Sequence, residues 1–220
     1  MRLLLIHTAG AAGSVALAEG QEVVAAEALP GRSSSERLVP AVRRLMALQD
    51  WSLRDLKAVV VVHGPGSFTG VRVGLSAAKG FSEAGGVPLI AISRLALLAA
   101  SAVAEGDKAV HAVLDAGRGE FYYGGYAGHR CVREALLSLD EVSAAISGES
   151  VLVCEAKVTE MLSAVHPRFV EEPSAGDALP LALERIAANE FDEAALLDAN
   201  YLRRTDAEIF AKPKAKSTVQ

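Results

Sequence analysis

Short apolar runs separated by turn residues fill the first thirty positions of the chain. The runs Leu3–Ala9, Ser14–Glu19 and Glu22–Ala28 have the length of strands, and glycines such as Gly10 and Gly20 interrupt them. The pattern therefore predicts an antiparallel meander of three strands at the start of the chain.

Helical and strand-like segments alternate after the meander. Ser33 and Glu36 have the spacing of a capping box, and an apolar stripe follows them at the helical period. The stripe consists of Leu38, Val42, Leu45 and Met46. The next predicted segments are strand Ala58–His63, a glycine-rich helix, strand Pro88–Ile92 and helix Leu95–Ala104. A meander followed by helix, strand, helix and strand is typical of a ribonuclease-H-like lobe.

The opening pattern returns in the second half of the chain. After the polar residues 105–107, the run Val110–Asp115, a turn at Gly117 and the run Glu120–Tyr126 repeat the first hairpin. We therefore expect two like lobes, residues 1–106 and residues 107–220, with a flexible tail after about residue 210. The later predicted segments are helix Leu139–Ile146, strand Val151–Cys154, helix Thr159–Val165 and helix Ala178–Asn189.

A glycine motif joins the strand that ends at residue 63 to the helix that follows it. Residues 63–70 read His-Gly-Pro-Gly-Ser-Phe-Thr-Gly, and Thr69 is the predicted helix cap. Unpaired amides at such a helix start can hold an anion, although the spacing is not that of a Walker loop. The candidate nucleotide or anion site consists of Gly64, Gly66, Ser67, Thr69, Asp115 and Gly117. The alternative is that the glycines serve only to pack a tight turn.

The helix after this motif has three faces. Val71, Leu75 and Ala78 form an apolar stripe, and a polar stripe lies opposite them. The polar stripe consists of Arg72, Ser76, Lys79 and Glu83. Small residues run between the stripes at Gly70, Gly74 and Ala77. A second helix is therefore expected to approach this line closely, either from the same chain or from a partner.

Composition excludes several classes of function. A net charge of −5 and a pI near 5.6 argue against a chain that binds nucleic acid by itself. Cys131 and Cys154 are expected in the core, and neither they nor the histidines have metal-ligand spacing, so no metal site is predicted. The apolar runs are too short to span a membrane and no signal peptide is recognised, so we expect a cytoplasmic protein without membrane contact.

The glycine motif closely resembles the signature of the TsaB (YeaZ) family, over residues 64–74 and the Ala-Ala-Lys-Gly at residues 77–80. Segments 2–9, 114–122 and 200–203 agree with that family in order and spacing, so the resemblance extends from about Arg2 to Arg203. It implies an α/β fold of two ribonuclease-H-like lobes of the actin, hexokinase and Hsp70 (ASKHA) type.

The resemblance also implies a non-catalytic subunit that pairs with the proteins TsaD and TsaE to threonylcarbamoylate the adenosine beside the anticodon of tRNA. The complex would use ATP and the threonylcarbamoyl-AMP that TsaC supplies. The chain would hold no cofactor of its own, would contact tRNA only through the complex, and would form homodimers when its partner is absent. The expected partner-binding residues are Leu38, Val42, Leu45, Met46, Gly70, Arg72, Gly74, Ala77 and Ala78.

Two differences from related enzymes argue against catalysis by this chain. His7 stands where related folds carry an aspartate for Mg²⁺, and an imidazole is a poor ligand for that hard cation. The HxxxH metal pair of TsaD-type enzymes is missing from residues 33–37. The alternative function is a stand-alone nucleotide-dependent enzyme of the sugar-kinase type, whose phosphate loops would be residues 64–70 and Gly117.

Overall fold

The predicted meander and the next two strands form one mixed sheet. The computed structural model describes residues 1–30, 34–101, 109–146 and 150–202. The strands of the first sheet are β1 (Arg2–His7), β2 (Gly13–Glu19), β3 (Glu22–Leu29), β4 (Ala58–Val62) and β5 (Leu89–Ile92). The meander is antiparallel, β4 lies parallel to both β1 and β5, and the spatial order is β3-β2-β1-β4-β5. The predicted meander is therefore confirmed.

A second five-stranded sheet repeats this arrangement. Its strands are β6 (Ala109–Gly117), β7 (Glu120–Ala127), β8 (Arg130–Ser138), β9 (Ser150–Val153) and β10 (Arg168–Phe169), in the order β10-β9-β6-β7-β8. Counted from its own first strand, each sheet has the order 3-2-1-4-5, with an antiparallel meander and two parallel strands. The expected pair of ribonuclease-H-like lobes is confirmed, and β8 and β10 add to the strands that the sequence predicts.

Helices occupy matching places in the two lobes. Those of the first lobe are α1 (Ser34–Leu48), α2 (Phe68–Gly85) and α3 (Arg94–Ala100), and those of the second are α4 (Leu139–Ala145), α5 (Ala156–Met161) and α6 (Leu179–Ala187). The prediction for residues 159–165 is shifted, because α5 begins earlier and a 3₁₀ turn follows it. Among the helices of the described ranges, none has the length and apolar character needed to cross a membrane.

Several predictions concern residues outside the described ranges. These are the capping role of Ser33, the lobe boundary between residues 106 and 107, and the last turn of the helix predicted to end at Ala104. Arg203, where the family resemblance ends, and the tail after residue 210 also lie outside these ranges.

Both faces of the central strands of the first sheet, β1 and β4, are buried. On one face, Ile6 shares a core cluster with Leu75 of α2, and on the other Leu5 shares one with Leu179 of α6. Every residue of β4 is buried, which explains why its sequence is a continuous valine run rather than an alternating one. The second lobe thus contributes its last helix to the core of the first lobe.

Helix α3 lies between the two sheets. Its Leu97 belongs to the core cluster of the first sheet, whereas Leu95 and Leu98 cluster with Ala112 and Leu114 of the second sheet. Because α6 and α3 each pack on the sheet of the opposite lobe, the lobes share their cores instead of meeting at a polar surface.

Residues 191–202, here called the closing segment, add polar ties between the lobes. Asp192 Oδ2 accepts a hydrogen bond from the Ala91 amide at 2.7 Å. Further along, the Asn200 amide donates to the His63 carbonyl at 2.9 Å, and Asn200 Nδ2 donates to Glu134 Oε2 on β8 at 2.7 Å. Asn200 therefore holds the end of β4 and the second sheet together.

The buried position of α3 predicts a large cost for shortening Leu98. We expect Leu98→Ala to lower the free energy of unfolding by about 2–5 kcal/mol, because the side chain is fully buried between the sheets. Leu48→Ala in α1 is the control, with a change within about 0.5 kcal/mol, because Leu48 is 77% exposed. Urea unfolding of the isolated chain measures both, and equal changes would contradict the shared core.

Candidate functional site

The glycine loop, residues 63–67, connects β4 to α2 and ends in a capped helix. Ser67 is the N-cap, and its side chain accepts a hydrogen bond from the Gly70 amide at 3.2 Å. The prediction that Thr69 caps the helix is therefore wrong, because Thr69 already lies in the first turn of α2. Gly64 has a φ of +106°, a conformation that suits glycine.

The glycines of the motif let the end of β1 approach α2. A Cβ on Gly66 would lie 2.1 Å from the Ala9 carbonyl oxygen, and one on Gly70 would lie 2.0 Å from the Thr8 carbonyl oxygen. A Cβ on Gly74 would lie 2.2 Å from Thr8 Oγ1. The expectation that Gly70 and Gly74 form a groove open to another helix is therefore wrong, because Thr8 of the same chain fills that space.

The apolar stripe of α1 also points inward. All four of its residues are buried in the chain's own core, as is Ala78 of α2. The buried stripe comprises Leu38, Val42, Leu45 and Met46. Val42 and Met46 line a cavity of about 270 Å³ together with Trp51 and Phe81. Partner binding by these residues stays a prediction. The exposed residues of α1 and α2 lie on the outer side of the two helices.

That outer side carries small residues and an aromatic cluster. Ser76, Gly80 and Ala84 are exposed along α2, and a Cβ on Gly80 would meet nothing within 4 Å. At the N-terminal end of α2, the Arg72 guanidinium lies 3.5 Å from the centroid of the Phe68 ring. Arg72 Nε also donates to the Tyr201 hydroxyl at 2.8 Å, so the closing segment fixes this arginine.

The six candidate residues for anion binding do not share one site. Gly64 lies against the Asn200 backbone and Gly66 against Ala9. Ser67 and Thr69 line a cavity of about 340 Å³ at the N-terminal ends of α1 and α2. The remaining two, Asp115 and Gly117, lie in the hairpin of the second lobe.

Asp115 caps the turn between β6 and β7. Its Oδ1 accepts a hydrogen bond from the Gly117 amide at 2.8 Å, and its Oδ2 lies 2.7 Å from Lys157 Nζ. An aspartate two residues before a turn glycine commonly caps the turn in this way. The geometry explains Asp115 as a turn residue.

A buried arginine occupies the cleft between the lobes, at the start of α3. Arg94 is 4% exposed, and its Nη2 lies 2.7 Å from Glu172 Oε1 and 3.4 Å from Glu155 Oε1. The Arg94 amide donates to the Gly64 carbonyl at 2.7 Å, which connects this arginine to the glycine loop. A charge buried this deeply requires anionic partners.

Each carboxylate beside Arg94 also accepts a hydrogen bond from a backbone amide in one of the two hairpins. Glu172 Oε1 accepts from Ala11 in the β1–β2 turn at 3.2 Å, and Glu155 Oε2 accepts from Asp115 at 2.7 Å. The chain's own carboxylates therefore occupy amides that a bound anion would otherwise contact.

Sequence reasoning missed all three ionic residues, Arg94, Glu155 and Glu172. The available signal was that Glu155 and Glu172 follow the parallel strands β9 and β10, whose carboxyl ends commonly line sites.

His7 is a buried, neutral imidazole on the same side of β1 as Leu5. Its Nδ1 accepts a hydrogen bond from the Ala9 amide at 3.2 Å, so the ring proton resides on Nε2, which has no partner among the described residues. Burial, assisted by the positive charge of Arg94, lowers the pKa of His7 to about 3. The side chain is thus held uncharged, and it cannot act as a cation for a phosphate near neutral pH.

Neither Cys131 nor Cys154 belongs to a group of described residues that could hold a metal ion. The expectation that Cys131 is a core residue is wrong, because it is exposed on the edge strand β8, and Cys154 is half-buried. Burial raises the pKa of the Cys154 thiol to about 11, which keeps it protonated. No group of three histidine, cysteine, aspartate or glutamate residues within the described part of the chain is arranged to hold a metal ion.

Known proteins resemble this chain in sequence. A family model described as "TsaD: tRNA N6-adenosine threonylcarbamoyltransferase" matches residues 28–148. The chain is 39% identical over 127 residues to the tRNA threonylcarbamoyladenosine biosynthesis protein TsaB of Escherichia coli strain K12, covering 57% of this chain and 55% of that protein. The match thus spans about half the length of this curated relative. An uncharacterized protein of Mycobacterium tuberculosis strain H37Rv is 34% identical over 181 residues, which cover 82% of this chain and 80% of that protein.

The fold has a close counterpart among solved structures. An uncharacterized protein from Pseudomonas aeruginosa, described by its similarity to peptidase YEAZ, superimposes with a TM-score of 0.76 at 32% sequence identity. The superposition covers 92% of this chain and 99% of that chain. The likeness therefore extends over both lobes.

The lowered pKa of His7 predicts a loss of stability in acid. Below about pH 6.5 the unfolded chain protonates His7, whereas the folded chain does not until about pH 3, so stability falls as the pH falls through this window. We expect wild type to lose about 1.6 kcal/mol more than His7→Asn between pH 6.5 and pH 5, measured by urea unfolding at each pH. His166→Asn makes the same substitution at an exposed position and serves as the control. Parallel curves for wild type and His7→Asn would contradict the buried neutral ring.

Proposed function

Because this chain belongs to the TsaB (YeaZ) family, we propose that it takes part in tRNA threonylcarbamoyladenosine biosynthesis as a non-catalytic subunit. In this proposal it pairs with a TsaD protein and, through that pair, with TsaE. One observation carries the non-catalytic part of the proposal. Glu155 and Glu172 form ion pairs with Arg94 and also accept hydrogen bonds from the hairpin amides of the cleft. A nucleotide phosphate would have to displace these carboxylates, which carry the same sign of charge.

The outer side of α1 and α2 is the proposed pairing surface. Ser76, Gly80 and Ala84 allow another helix to approach the α2 backbone, and the cavity beside Trp51 and Phe81 has room for an apolar side chain of the partner. The same surface would support a homodimer when the partner is absent.

The cofactors and the nucleic acid belong to the complex in this proposal. ATP and threonylcarbamoyl-AMP would be bound by the partner proteins. A chain with a net charge of −5 gains little from tRNA phosphates, so tRNA would be held mainly by the partners, in the cytoplasm.

Gly80 offers a test of the pairing surface that leaves the chain folded. A Cβ at Gly80 meets nothing within 4 Å, so Gly80→Trp is expected to leave the unfolding midpoint unchanged or raised while blocking a neighbouring helix. We expect at least about a tenfold weaker affinity for TsaD of the same organism, seen as lost co-elution in size-exclusion chromatography, and a matching loss in a tRNA modification assay.

The matched control is Ala144→Trp, which adds the same side chain to an exposed position of α4 in the other lobe. It should co-elute with TsaD as wild type does. Undiminished co-elution of Gly80→Trp would place the pairing surface elsewhere on the chain.

A calorimetric titration separates the proposal from the stand-alone kinase-type enzyme. We expect no measurable binding of ATP with Mg²⁺ to the isolated chain up to about millimolar concentrations. The backbone amides of Ala11 and Asp115 already donate hydrogen bonds to the chain's own carboxylates. Nucleotide turnover by the isolated chain would instead favour the enzyme. The TsaD complex, titrated in the same way, is the positive control.

A further inference from the structure

An unpaired guanidinium lies at the rim of the apolar cavity between α1 and α2. Arg43 is exposed and lines this cavity of about 270 Å³, whose other lining residues, among them Trp51 and Phe81, carry no charge. No ion pair or side-chain hydrogen bond joins Arg43 to another residue of the described ranges. Its charge is therefore balanced by solvent alone within that part of the chain.

The neighbours of Arg43 on its own helix cannot supply a partner. Side chains three and four residues apart on a helix are the ones that meet. At Arg43 these positions hold Val39, Pro40, Met46 and Ala47, none of which is charged. The adjacent Arg44 differs, because it forms an ion pair with Glu27 of β3.

A partner that fills the cavity would also cover Arg43. Its guanidinium would then lose water, and a covered guanidinium requires an anion beside it. Arginine and tryptophan are also among the residue types that contribute most to the affinity of protein–protein interfaces. Arg43 and the neighbouring Trp51 are thus placed to decide which surface binds here.

The charge of the two helices differs in sign from that of the rest of the chain. Together α1 and α2 contain five lysine or arginine residues and two acidic ones, a net charge of +3, which leaves −8 for the remaining residues. The acidic residues are Glu36 in the first turn of α1 and Glu83 in the last turn of α2. A second copy of the chain therefore offers Arg43 no carboxylate from the middle of either helix.

We propose that Arg43 makes the pairing surface specific for a helix that carries an apolar side chain for the cavity and a carboxylate three or four residues from it. The inference rests on the proposed function, since it names the chemistry of the partner at the pairing surface. A second copy of this chain is the disfavoured partner, because self-pairing covers Arg43 without an anion and brings two positively charged helix pairs together.

Substitution of Arg43 should change the two kinds of pairing in opposite directions. The affinity for TsaD of the same organism and the self-association of the chain are measured by analytical ultracentrifugation. We expect Arg43→Met to weaken TsaD binding at least about tenfold and Arg43→Glu to weaken it further, whereas self-association becomes tighter in both.

The matched control is Arg133→Glu, which inverts an exposed charge on β8 of the other lobe and should keep both wild-type affinities. Urea unfolding verifies that the Arg43 variants are folded, with a midpoint close to that of wild type because the residue is exposed.

Salt provides a second measurement, on the unmodified chain. Between about 0.05 M and 0.5 M sodium chloride, binding to TsaD should weaken and self-association should strengthen, because salt screens attraction in the first case and repulsion in the second. Undiminished TsaD binding by Arg43→Glu would overturn the inference. Equal weakening of both kinds of pairing would overturn it as well, because Arg43 would then be a general contact rather than a selective one.

Gly80→Trp distinguishes a failure of this inference from a failure of the proposed function. If Gly80→Trp loses TsaD and Arg43→Glu retains it, the pairing surface stands and the selection by charge is wrong. If both variants retain TsaD, the pairing surface lies elsewhere and the inference falls with it.

Discussion

A guanidinium buried between two lobes is the constraint on which the rest of this molecule depends. Withdrawing the charge of Arg94 from water costs several kcal/mol unless carboxylates meet it. Glu155 and Glu172 do so, and both come from the other lobe, at the carboxyl ends of β9 and β10. The pairing fixes the two strand ends relative to α3, and through Ala11 and Asp115 it also fixes both hairpins.

The shared cores reinforce this arrangement. Helix α3 packs on the second sheet and α6 on the first, so a movement of one lobe relative to the other would expose apolar surface as well as break ion pairs. In the closing segment, Asn200 donates hydrogen bonds to His63 of the first lobe and to Glu134 of the second. The result is a cleft that is filled by the chain's own side chains and held in one geometry.

Local patterns in the sequence predict the architecture well and the cleft poorly. Strand length, turn glycines and the continuous valine run of β4 depend on neighbouring residues, so the meander and the duplicated lobe can be predicted from them. The ion pairs join Arg94 to residues far along the chain, and no spacing rule relates them. The small residues of α2 predict that another segment packs closely against the helix, but they do not identify that segment. At Gly70 and Gly74 it is Thr8 at the end of β1. Strand β10 has only two residues and carries no detectable pattern.

The position of α6 has a consequence for synthesis of the chain on the ribosome. The core of the first lobe contains Leu3 and Leu5 together with Leu179 and Leu181 of α6. Translation proceeds from the N-terminus, so α3, whose Leu97 packs on this face, is made early, whereas α6 follows only when nearly the whole polypeptide has emerged. Contacts so distant in sequence also slow folding. The nascent first lobe therefore leaves the apolar surface under α6 uncovered until that helix has been synthesised, and this is the kind of surface that holdase chaperones bind.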